Sequence, residues 1–153
     1  MNIVVDDLSG PDVAAFLSGH VQQMRSITPT EFAFALNLDE LRKPDVTFWT
    51  VWDEGVLVGC AALKRLDAAG HAELKSMRTA TDRLRSGVAS RLLEHIIAEA
   101  RRMGVTRISL ETGTDEFFAP ARRLYAKFGF TPCPPFGGYE PSEHNTFMTL
   151  PVA

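Results

Sequence analysis

Apolar residues recur along this chain with two different spacings. From Val88 to Met103 they fall at Val88, Ala89, Leu92, Leu93, Ile96, Ile97, Ala100 and Met103, and Gly104 follows. That is one continuous stripe at the helical period with a glycine stop behind it. A second stripe, Ala121, Leu124, Tyr125 and Phe128, opens at Pro120 and closes at Gly129. Near the N-terminus Pro11 begins a looser pattern through Val13, Phe16, Leu17, Val21 and Met24. Thr30 is suited to cap a further helix that carries Phe32, Ala35 and Leu36 and ends before Pro44. Between these stretches, β-branched and aromatic runs predict strands at 2–5, 46–52, 56–66, 72–79, 105–111 and 146–150. Asp53-Glu54-Gly55 and residues 67–70 supply turns, and Pro132, Pro134, Pro135, Gly137 and Gly138 predict an irregular loop. The order β-α-α-β-β-β-α-β-α-β predicts an α/β fold, a mixed sheet with helices on both faces.

Composition adds bounds. A length of 153 residues is that of one domain, expected to span 1–153, and 45% apolar with 23% charged residues is enough for a core without disulfides or metal. The net charge is only -3, and basic residues alternate with acids and apolar positions, which argues against a nucleic-acid or membrane surface. The pairs Arg101-Arg102 and Arg122-Arg123 read as solvated helix faces. No apolar run approaches the ~20 residues that span a bilayer and no leader is evident, so a cytoplasmic location is expected. Cys60, in an apolar run, reads as a small core residue; Cys133 sits among prolines. His20, His71, His95 and His144 lack ligand spacing, so no metal is expected, and His95 is placed on the exposed side of its helix.

The stretch Leu84-Arg85-Ser86-Gly87-Val88-Ala89 carries more chemistry. It leads a strand into the long helix, whose first turn offers free N–H groups and a partial positive charge to a phosphate. Gly87 and Ala89 leave room for close approach, and Arg83 and Arg85 add charge. Alone the pattern is equally a simple turn. The Gly-Lys-Ser/Thr ending of a P-loop, three early glycines of a dinucleotide fold and a Gly-x-Ser-x-Gly elbow are all missing.

Three segments in order carry a resemblance. Glu73 to Val88 with the helix behind it, Ser109-Leu110-Glu111-Thr112, and Ala121-Arg122-Arg123-Leu124-Tyr125 running to Phe128-Gly129-Phe130 are similar to the GNAT family of N-acetyltransferases. Glu73 to Thr79, Leu110 to Gly113 and Met148-Thr149 resemble its bacterial YsnE-like subgroup. The similarity covers residues 46 to 150. It implies a mostly antiparallel twisted sheet in which two parallel strands, 72–79 and 105–111, splay apart to admit acetyl-CoA as cosubstrate. It also implies that Leu84, Arg85, Ser86, Gly87, Val88, Ala89 and Ser90 hold the pyrophosphate. Met77, Arg78 and Thr79 would pair with the pantetheine arm, and Arg122 would assist. A homodimer is common in such proteins. Two positions depart from the family: Leu84 stands for a usual Gln or Arg, and Phe118 for a frequent Asn.

Acetyl transfer requires a neutral amine, a polarised carbonyl and a proton for the departing thiolate. No activated nucleophile is evident, so direct attack is expected. A backbone N–H near Met77 or Arg78 is suited to the carbonyl. Tyr125 is the candidate acid by the resemblance, although its place on an apolar stripe also suits a core tyrosine. Glu73 is a candidate base, but Lys75 shares its strand face and an ion pair is equally compatible; Glu111 is the alternative base or an amine anchor. Aromatic residues among Phe32, Phe34, Trp49, Trp52, Phe136 and Tyr139 are candidates for the acceptor pocket, with Phe34 and Tyr139 preferred. A small cationic amine is the expected acceptor. A protein lysine or N-terminus, a non-catalytic acyl-CoA sensor and a nucleotide-binding module stay open.

Overall fold

A computed structural model describes residues 1–18 and 38–153 of the chain. The sequence expectations at His20, Val21, Met24, Thr30, Phe32, Phe34, Ala35 and Leu36 therefore lie outside the described residues.

Strand β1 (Asn2–Val5) leads to a helix, α1, over residues 11–18, and a short helical turn, α2 (Leu38–Leu41), precedes β2 (Val46–Asp53). β2 and β3 (Val56–Arg65) form the expected hairpin across Glu54 and Gly55, both with positive φ, and β4 (His71–Thr79) follows. Helix α3 (Val88–Arg102) buries Val88, Leu92, Leu93, Ile96, Ile97 and Ala100, most of the stripe read from the sequence. It stops because Gly104 takes φ 82° and the Val105 N–H turns back to the Ala100 carbonyl at 2.9 Å. That cap consumes Val105, and Thr106 bonds to Gly70, so β5 runs from Arg107 to Gly113 rather than from residue 105. Helix α4 (Ala119–Lys127) has its proline in the first turn.

Two further elements complete the sheet. β7 (Asn145–Pro151) lies beside β5, and a two-residue strand, β6 (Thr131–Pro132), adds to its outer edge where a loop was expected. Pro132 is tolerated there because an edge strand leaves one side of its backbone unpaired. The strand order is β1-β2-β3-β4-β5-β7-β6, all antiparallel except β4 and β5. Among the described residues no helix is long and apolar enough to cross a membrane.

The sheet separates two apolar layers. On one face Trp49, Val51, Val58, Ala61, Leu63, Leu74, Ile108 and Leu110 pack with the buried stripe of α3 and with Tyr125 of α4. On the other, Phe48, Cys60 and Ala62 pack with Leu8, Val13, Leu17 and Leu41. Cys60 is a core residue whose thiol is pushed up to about 12 by burial. His95 is not simply solvated: it is half-buried, edge-on to the Trp49 ring at 6.3 Å, so the expectation of an exposed position is corrected.

Candidate active site

The site begins where the sheet opens. β4 and β5 stay in register over His71–Arg107, Ala72–Ile108, Glu73–Ser109 and Leu74–Leu110, and pairing ends there although both strands continue. A bulge explains how β4 turns away. Its pairing to β3 passes from Cys60–Arg78 to Ala62–Lys75, so Ser76 and Met77 oppose the single residue Ala61. Ser76 accordingly takes φ 59°, in the left-handed region that a serine rarely visits. The extra residue interrupts the β3–β4 ladder at Ser76 and Met77, beside the gap. Ser76 Oγ is buried there with no hydrogen-bond partner among the described residues.

The gap is a cleft of about 570 Å³ that runs from the start of α3 to the β4–β5 fork. At one end Gly87 has φ 89°, and an added Cβ would meet nothing within 4 Å, so the cradle is open. No side chain caps α3 and its first turn holds no acid. The N–H groups of Val88, Ala89 and Ser90 therefore lack intrahelical partners and suit a phosphate. Arg83 lines this end and ties it to the β2–β3 turn through Asp53 at 2.5 Å.

Of the residues singled out from the sequence, Glu73, Met77, Arg78, Thr79, Leu84, Arg85, Gly87, Val88, Ala89, Ser90, Glu111, Tyr125 and Tyr139 all line this one cleft. Two of the described candidates, Ser86 and Arg122, do not line it. Phe34 lies outside the described residues. Ser86 turns its hydroxyl back to the Arg83 carbonyl. Arg122 spends its guanidinium on the carbonyls of Gly113 (2.6 Å) and Asp115 (3.0 Å), where it holds the exit of β5. The sequence did not single out Ser76, Gly113 or Phe117. Ser76 and Gly113 did lie within the quoted motifs Glu73 to Thr79 and Leu110 to Gly113, whereas Phe117 had no signal.

Gly113 has a packing reason: a Cβ there would run into the Phe118 ring, which stands beneath the cleft. We expect Gly113→Ala to lose roughly 1–3 kcal/mol of stability in urea unfolding and to weaken acetyl-CoA binding. Unchanged values in both measurements would show that Phe118 yields freely.

At the fork the chemistry is acidic. Glu73 is 4% exposed, and its Oε2 accepts the Tyr139 O–H at 2.5 Å. No ion pair joins Glu73 to Lys75 among the described residues, and Tyr139 occupies the carboxylate instead. Glu111, on the same sheet face, is pushed up to about 7, chiefly by burial and further by the Glu73 charge, against the pull of Asn145 and Lys75. Tyr125 reaches the cleft from α4; burial pushes it up to about 12, and among the described residues its hydroxyl meets only the weak acceptor Met77 Sδ, at 3.9 Å. One cleft thus holds a buried acid that ionises near neutrality and a phenol that stays protonated, the two protonation states that general base and general acid require. Among the described residues no cluster of His, Cys, Asp or Glu could hold a metal ion.

A ligand that fits is long and thin, with phosphates at one end and a reacting carbonyl at the other, and a sheet opened in this way is the frame of an acyl-CoA acyltransferase. The model of the family described as Acetyltransferase (GNAT) family matches residues 14–130, and the chain belongs to that family. YsnE of Bacillus subtilis (strain 168) is 47% identical over 149 residues, 97% of this chain and 98% of YsnE. YedL of Escherichia coli (strain K12) is 46% identical over 148 residues, 97% of this chain and 92% of YedL. Both are named uncharacterized N-acetyltransferases. The structure of an aminoglycoside 6'-N-acetyltransferase complexed with coenzyme A has the same fold, with a TM-score of 0.75 at 15% identity over 100% of this chain and 98% of that one. The protein is an acetyl-CoA-dependent N-acetyltransferase.

Proposed function

We propose that this enzyme is cytoplasmic and moves the acetyl group of acetyl-CoA to a primary amine of a small molecule or amino acid by direct attack. The observation that carries this reading is Glu111, a carboxyl raised to about 7 inside the cleft that Tyr125 also lines. An amine arrives mostly as ammonium at neutral pH. Glu73 and Glu111 attract that cation, and Glu111 takes its proton, so that the free lone pair forms the new C–N bond. A backbone N–H at the bulge, from Met77 or Arg78, stabilises charge on the carbonyl oxygen. The C–S bond breaks as Tyr125 gives its proton to the sulfur, and the second proton, left on the new amide nitrogen, passes to the tyrosinate and restores the phenol. The N–H groups of Val88, Ala89 and Ser90 would hold the pyrophosphate, with Leu84, Arg85 and Gly87 shaping the turn, and Met77 to Thr79 would pair with the pantetheine arm.

Thermal unfolding with acetyl-CoA, with ATP as control, tests the binding half of this reading. Ligand at ~100 times its Kd should add about 2.7 kcal/mol, a rise of roughly 5–11 °C for a domain of this size. An equal response to ATP, or none to acetyl-CoA, would remove the reading. Release of free thiol with a panel of small amines tests the rest. Thiol release with peptides alone would move the acceptor to a protein, and the absence of any release, with amines, peptides or water, would leave an acyl-CoA sensor.

A further inference from the structure

Tyr139 is held more firmly than a loop side chain needs to be. Gly137 (φ 61°) and Gly138 (φ 83°) reverse the chain, and the Tyr139 N–H closes the turn on the Phe136 carbonyl at 3.1 Å. The reversal sends both rings onto the sheet face that carries Glu73 and Glu111. There Phe136 meets His71 at 5.8 Å and Phe147 at 5.8 Å, and Tyr139 meets Phe136 at 5.6 Å and Phe147 at 5.9 Å. The loop is tied at both ends. Cys133 N–H donates to the Phe147 carbonyl, while Asn145 donates to the Glu140 carbonyl and accepts from Ser142. Phe147 stands opposite Glu111 in the β5–β7 register, so the cluster rests on the strand pair that carries one carboxylate while its hydroxyl grips the other.

We propose that Tyr139 is a positioning residue: its hydroxyl fixes the Glu73 carboxylate beside Glu111 and thereby sets the pH at which Glu111 takes the acceptor's proton. Two acids in one desolvated pocket compete for protons, so the placement of one decides when the other ionises. Among the described residues the groups around them can be named. Lys64 of β3 and Ser109 of β5 stand in register with Glu73, and His71 and Lys75 share its strand face. Glu111 feels Glu73, Lys75 and Asn145. From the loop comes Tyr139, whose own ionisation is driven far up by burial and by both carboxylates, so it donates at every working pH. From α4 across the cleft comes Tyr125.

The inference rests on Glu111 being the base, and the test separates the two. The pH profile of kcat/KM is measured for the wild type, Tyr139→Phe, Glu73→Gln, their double variant and Glu111→Gln. Tyr139→Phe keeps the ring and its cluster but frees Glu73 to swing toward water, which relieves its repulsion of Glu111. The acid limb should then move down by about 0.5 pH unit or more. In the Glu73→Gln background, adding Tyr139→Phe should not move the limb again. A limb that disappears in Glu111→Gln but stays put in Tyr139→Phe overturns the inference alone. An equal shift on both backgrounds also overturns it, because Tyr139 would then act without Glu73. A limb that survives Glu111→Gln overturns the base assignment and the inference together.

Discussion

Tyr125→Phe is expected to lower turnover at least roughly tenfold while leaving acetyl-CoA binding in place. The ring itself is structural: it is 7% exposed, packs against Phe130 at 5.7 Å and belongs to the core layer beneath α3 and α4. Phenylalanine preserves all of that contact. What it removes is one O–H that meets the thioether of Met77 at 3.9 Å and no stronger acceptor among the described residues. A phenol pushed up to about 12 keeps its proton throughout the working range, so it can protonate a thiolate but cannot act as the base. The loss should therefore fall on kcat and should not bend the pH profile near 7. Turnover unchanged in Tyr125→Phe would return the residue to a packing role, and a parallel fall in acetyl-CoA affinity would show that the hydroxyl serves binding rather than proton transfer.

The sequence made this residue visible, and the reasons differ from one part of the site to another. Helices α3 and α4 were legible because each packs one face only, so a burial stripe at the 3.6-residue period and a glycine stop record them directly. The turn before α3 was legible for a related reason: a small residue just ahead of a helix leaves its first N–H groups open to approach, and Gly87 stands there with φ 89°. The bulge in β4 left no such mark. Ser76 takes a left-handed conformation that its side chain does not advertise, and the register shift against β3 is a property of two strands together. Pairings across long separations were hidden in the same way. Strand periodicity put Lys75 beside Glu73, but the carboxylate's actual partner, Tyr139, is 66 residues away on a loop that carries no period. Arg122 shows the reverse error. Its place near the cofactor followed from the resemblance, yet the carbonyls of Gly113 and Asp115 take its guanidinium first.

Glu111→Gln should separate function from stability with opposite signs. If Glu111 is the base, the wild-type kcat/KM rises with pH through about 7, where this carboxyl loses its proton, and levels off above. Glutamine cannot accept the proton, so the acid limb should vanish and the plateau should fall about a hundredfold. Stability should move the other way. The folded-state carboxyl is raised to about 7 from an ordinary 4.5, mainly by burial, so the folded protein binds this proton more tightly than the unfolded chain does. The wild type is then undisturbed below 4.5, loses stability between 4.5 and 7, and carries the full penalty of a buried charge above 7. Glutamine has no charge to bury. The variant should be more stable than the wild type at pH 8, by on the order of 1–3 kcal/mol, and that advantage should shrink toward zero as the pH falls to 4. Urea unfolding of both proteins at pH 8 and pH 4.5 measures it. A difference that does not change with pH would mean that Glu111 is already well solvated, and a solvated carboxylate with an ordinary pKa would be too weak a base for the role assigned to it.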